Sequence, residues 1–80
     1  MVLERIKAVF AQVFQVDAAA VPAAASPAEI EAWDSFGHLA LVEALQAEFS
    51  VEFALDDIAR MDSLPAIEQI ILERRGAAGS

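Results

Sequence analysis

Asp34-Ser35-Phe36-Gly37-His38-Leu39-Ala40-Leu41-Val42-Glu43-Ala44-Leu45-Gln46-Ala47-Glu48-Phe49 is the stretch that decides the fold. Asp34 is a good N-cap, because its carboxylate can accept from the orphan amides of a helix that Ser35 opens. At the helical interval of about 100° per residue, Leu39, Leu41, Val42, Leu45 and Phe49 fall on one broad arc, which is expected to face a core. The opposite arc carries Phe36, Gly37, Ala40, Glu43, Ala44 and Ala47. A solvated helix face usually holds more polar residues than this one, which has a large aromatic at its top, small residues below it and a single charge, so it reads as a docking surface.

On the C-terminal side, Ser50 to Phe53 alternates like a strand. No second strand is at hand to pair with it, so it is expected as an extended connector whose Val51 and Phe53 plug the core. Leu55 to Arg60 suits a short helix with Leu55 and Ile58 inward and with Asp56 and Asp57 at its positive end. The last helix is expected to begin near Ser63, to tolerate Pro65 in its first turn and to bury Leu64, Ile67, Ile70 and Ile71. Arg74 and Arg75 suit its negative end, Gly76 stops it, and 77–80 form a disordered tail.

On the N-terminal side, the first helix runs from Val2 to Phe14, with Val2, Leu3, Ile6, Val9, Phe10 and Val13 at helical spacing. Val16, Asp17 and Pro22 interrupt the alanines between Gln15 and Ala25, which predicts a long loop. Ser26 and Glu29 have capping-box spacing around Pro27, predicting a short helical turn through Glu31. The outcome is an all-α domain over residues 1–76: a small bundle of three main helices, a short helix before the last one and a long loop between the first two long helices.

The chain has 80 residues, 13 acidic and 5 basic, for a net charge of −8. Such a field repels nucleic-acid backbones and anionic membrane surfaces, so the expected partners are basic proteins. There is no cysteine, which excludes a disulfide framework, a thiolate metal site and a catalytic thiol. One histidine with carboxylates alone is a poor zinc set, so no metal is expected. No apolar run approaches the ~20 residues that span a bilayer, and Glu4, Arg5 and Lys7 do not have the layout of a signal peptide. A cytoplasmic monomer is the expectation.

A bundle this small has no room for an enclosed active site, which puts function on the surface. Ser35 is a serine at the mouth of a long helix, directly after a carboxylate and before a large apolar side chain. The dipeptide Asp34-Ser35 is explained by capping alone, and as a nucleophile Ser35 is poorly served, because His38 lies a turn further on and projects toward the core arc. A catalytic triad is not expected. Trp33 is expected to close the loop onto the bundle, and His38 to be a hydrogen-bonded, partly buried histidine.

The segment Trp33-Asp34-Ser35-Phe36-Gly37-His38-Leu39, continuing through Leu41, Val42, Leu45 and Glu48-Phe49-Ser50-Val51, resembles acyl carrier proteins, whose hallmark is D-S-L at the start of the second helix. The likeness extends over nearly the whole chain, in the order of elements, the length and the acidity. It implies that Ser35 receives a 4′-phosphopantetheine arm from a separate phosphopantetheinyl transferase, and that acyl or aminoacyl groups ride on that arm as thioesters between loading and downstream enzymes with basic docking surfaces. It further implies that Asp34 caps the helix and takes part in metal-assisted recognition by the transferase, and that the carrier itself catalyses nothing. A phosphodiester on Ser35 would suit the physics of a helix N-terminus.

Two residues depart from the family pattern: Phe36 replaces the usual leucine, and Ala40 stands where many fatty-acid carriers have an acid. Both lie on the recognition helix, so they bear on partner identity. Phe36, Ala40, Glu43, Glu48, Asp56 and Asp57 are the expected docking residues. Trp-Asp-Ser followed by Gly-His looks more like carriers of polyketide or specialised pathways than like the housekeeping fatty-acid carrier. The alternative is an unmodified helical adaptor that binds partners through the Phe36, Ala40 and Ala44 face.

Overall fold

A computed structural model describes the backbone of residues 2–79 and the side chains of residues 2–75. The described residues form four α-helices, α1 (Val2–Phe14), α2 (Ser35–Phe49), α3 (Leu55–Arg60) and α4 (Leu64–Gly79), and no strand. The architecture is the expected all-α bundle of three main helices, with a short helix before the last one and a long loop after the first.

The apolar period of α1 buries Ile6, Val9, Phe10 and Phe14. Against them lie Leu41, Val42, Leu45 and Phe49 of α2 and Leu64, Ile67, Ile70 and Ile71 of α4, closing one core. The long loop is part of that core. Val21, Ala25, Ile30 and Trp33 are buried, and the carbonyl of Ala25 accepts from the Leu64 amide at 2.8 Å, tying the loop to the start of α4. Burying loop backbone requires such partners, because an unpaired buried carbonyl is costly. Trp33 is 3% exposed, with its ring edge-on to Phe10 at 5.1 Å and tilted over Phe14 at 6.1 Å, so it closes the loop onto the bundle as expected.

Several local expectations are corrected. The alanine run is not wholly irregular: Asp17 caps Ala18–Ala20, a single 3-10 turn, through its contact with the Ala19 amide. The Ser26 segment makes one hydrogen-bonded turn, in which Ser26 Oγ meets Glu29 Oε1 at 3.1 Å, but no helix propagates to Glu31. The backbone of α4 passes Gly76 and continues through Gly79, so the expected tail is helical over 77–79; Ser80 lies outside the described residues. Ser63 Oγ does accept from the Ala66 amide at 3.3 Å, as expected of the residue that opens α4.

On α2 the core arc is right for Leu41, Val42, Leu45 and Phe49 and wrong for Leu39, which is 58% exposed. The supposed outer arc is narrower than expected. Ala44 packs against the core, and Gly37 faces inward so closely that a β-carbon there would coincide with the Ala32 carbonyl oxygen and press on Phe14. The loop that ends at Asp34 folds back over the first turn of α2, which a projection of the helix alone does not contain. In α3, Ile58 packs inward as expected, but Leu55 is 84% exposed.

Candidate functional site

Asp34 precedes α2 in extended conformation; its Oδ1 accepts from the Gly37 amide at 2.8 Å, and its carbonyl accepts from the His38 amide at 2.7 Å. The carboxylate is thereby committed to capping. The amides of Ser35 and Phe36 have no partner within the helix, because first-turn amides never do. Ser35 is exposed at this positive helix end.

Beside Ser35 an open groove of about 660 Å3 lies between α2 and α3, with Trp33, His38 and Leu39 on one side and Leu55, Ile58 and Met61 on the other. Leu39 and Leu55 miss the core because they line the mouth of this groove. Leu39 lies at the edge of its arc, where a short α3 stands opposite instead of a long helix. His38 is half-buried in the groove wall. Its Nδ1 lies 2.9 Å from Trp33 Nε1 and its Nε2 lies 3.0 Å from the carbonyl of Ile58, while its ring stacks on Trp33 at 6.2 Å and 15°. Both ring nitrogens are therefore directed away from Ser35, which has no imidazole to take its proton.

The expected docking residues separate into two groups. Phe36 is 84% exposed, and Ala40 and Glu43 on α2 and Asp56 on α3 are exposed as well. Glu48 is exposed but held: Arg5 reaches its Oε2 at 3.0 Å and its carbonyl at 2.8 Å, with the guanidinium over the Phe49 ring. Asp57 does not belong to the surface at all. It is 1% exposed, and its two oxygens accept from Arg74 Nε at 2.8 Å and Arg74 Nη2 at 2.7 Å, from Arg60 Nη2 at 2.9 Å and from the Ala54 amide at 3.0 Å. The Arg74 hydrogen bonds, reinforced by the Ala54 amide, hold its carboxyl well below the usual carboxylate range against the opposing effect of burial, and Asp57 in turn raises Arg74. Arg74, expected to serve the end of α4, instead ties α4 to α3.

Sequence reasoning missed the Asp57–Arg74 pair, whose members are 17 residues apart. The signal within reach was the i, i+3 spacing of Asp57 and Arg60 on one short helix. It also missed Asp62, which joins Asp34 on the rim of the groove.

Among the described residues, no group of three His, Asp or Glu side chains converges to hold a metal ion, and no helix is long and apolar enough to cross a membrane. The chain matches no protein-family model and no curated protein.

Proposed function

We propose that the chain is a carrier domain that takes a 4′-phosphopantetheine arm on Ser35 and hands acyl or aminoacyl thioesters between partner enzymes of a fatty-acid, polyketide or specialised-metabolite pathway. One observation carries the reading: an exposed serine hydroxyl opens a 15-residue helix beside an apolar groove, in the segment that resembles acyl carrier proteins. The residues present fit such a group. Ser35 and Phe36 offer free amides to a phosphodiester, while Asp34 already spends its carboxylate on Gly37 and so adds one negative charge nearby without filling the helix end.

Attachment would form a bond from Ser35 Oγ to phosphorus while the pyrophosphate of coenzyme A breaks, releasing adenosine 3′,5′-bisphosphate. The serine proton must go to the transferase, since His38 is turned away. Purified protein with coenzyme A and a broad-specificity transferase should gain the mass of one arm, and Ser35→Ala should abolish the gain with helical circular dichroism unchanged. Persistent labelling of the alanine variant, or no gain by the wild-type chain, would reject the assignment.

Docking on this reading combines Phe36 as a desolvated anchor with Glu43 and Asp56 as steering charges for a basic partner. The exposure of Phe36 also favours a second reading, an unmodified adaptor that binds through Phe36 and Ala40. Partner binding that is indifferent to Ser35→Ala and lost in Phe36→Ala, with no mass gain, would support it.

A further inference from the structure

α3 has six residues, too few to hold a helix by themselves, yet it forms one wall of the groove beside Ser35. It is fastened on two sides by polar groups. On the α4 side Asp57 receives Arg74, and on the α2 side the carbonyl of Ile58 meets His38 Nε2. Only the second attachment spans the groove.

We propose that His38 is the positioning residue of this groove, holding α3 at its distance from α2 as the neutral imidazole that carries its proton on Nε2. The proton's place follows from the neighbours. The indole nitrogen of Trp33 can only donate, so Nδ1 has to accept; the Ile58 carbonyl can only accept, so Nε2 has to donate. Trp33 is itself fixed by Phe10 and Phe14, so the chain of contacts runs from the core through the indole and the imidazole to the backbone of α3. Ile58 is close to the end of α3, where carbonyls lack helical partners; the Met61 amide reaches the same oxygen at only 3.3 Å. The imidazole thus supplies the shorter of the two bonds that the oxygen accepts. That the groove serves a group on Ser35 rests on the carrier reading, whereas the placement of α3 by His38 does not.

The test uses the unmodified chain. Nitrogen-15 correlation spectra of the imidazole at neutral pH should show the Nε2–H tautomer, and finding Nδ1–H would overturn the proposal without any variant. His38→Phe keeps a ring against Trp33 and removes both nitrogens. Amide exchange at Ile58 and its α3 neighbours should then accelerate on the order of tenfold or more, with α1 and the first half of α4 nearly unchanged, because a local opening is released while the core stays closed. Unchanged exchange in α3, or acceleration spread evenly over all helices, would show that the imidazole only fills space. If His38→Phe fails to fold, the wild-type chain decides the matter: a scalar coupling across the hydrogen bond from the imidazole Nε2–H to the Ile58 carbonyl carbon is expected, and an Nε2–H proton that exchanges with water as fast as that of an exposed histidine would overturn the contact. Failure of the wild-type chain to accept the phosphopantetheine arm would reject the carrier reading alone and leave these outcomes standing.

Discussion

Gly37 shows how far one residue can depart from its own helix's preferences. A glycine inside a helix costs up to about 1 kcal/mol relative to alanine, less in the first turn where Gly37 sits, so Gly37→Ala should stabilise α2 slightly if the helix stood alone. Here the added methyl would meet the Ala32 carbonyl oxygen, which belongs to backbone and cannot turn aside. The expected outcome is net destabilisation by about 1–3 kcal/mol in urea unfolding; equal or greater stability would mean that the loop before Asp34 yields easily. The same experiment separates core from surface among the large apolar side chains. Phe10→Ala, Leu45→Ala, Phe49→Ala and Ile67→Ala should each cost about 2–5 kcal/mol. Phe36→Ala should stay within about 0.5 kcal/mol, because its ring already meets water.

At the scale of elements, α3 depends on Asp57. Asp57→Asn should cost about 1–3 kcal/mol through weakened charge-assisted bonds, and Arg74→Met should cost more than Asp57→Asn, since it leaves the buried carboxylate with only Arg60 and the Ala54 amide, whereas the asparagine variant leaves Arg74 free to reach water. The order reversed would place the energy elsewhere. The pair also sets a pH dependence with a definite sign. The carboxyl titrates lower in the folded chain than its unfolded value near 3.9, so its contribution is fully present above about pH 5 and is lost as pH falls through 4 toward the depressed native value. Urea midpoints at pH 7, 5 and 3 should fall steeply between the last two in wild-type protein and less steeply in Asp57→Asn. What was legible in the sequence divides along the same line. Repeats of 3.6 residues located α1, most of the α2 stripe and the four buried positions of α4, because each rests on neighbours within one helix. Leu39, Leu55, Gly37 and Asp57 depend on which distant segment lies opposite, and no local period encodes that. Ser35 and its cap were legible for the opposite reason: capping is a four-residue matter.

Over the whole molecule, charge is unevenly spent. Of 5 basic side chains, Arg5, Arg60 and Arg74 already face Glu48 and Asp57, so Glu43 and Asp56 present their charge to solvent. On the carrier reading proposed above, association with a transferase should slow as salt is added, because the Debye length near physiological ionic strength is only ~8 Å. Reversal of Glu43 and Asp56 to lysine should lower both the on-rate and its salt dependence, whereas Phe36→Ala should mainly hasten dissociation and Asp57→Asn should leave the on-rate close to wild type. On-rates unaffected by salt and by charge reversal would locate recognition on another face.

The position of Trp33 has an optical consequence. With 1 tryptophan and no tyrosine, near-ultraviolet emission excited above the phenylalanine bands comes from a single indole, and that indole is wedged between the phenylalanines of α1 and the imidazole that faces α3. Its brightness and wavelength therefore report on one junction of the molecule, where the loop, α1 and the groove wall meet, and label-free fluorescence can follow any displacement of that wall.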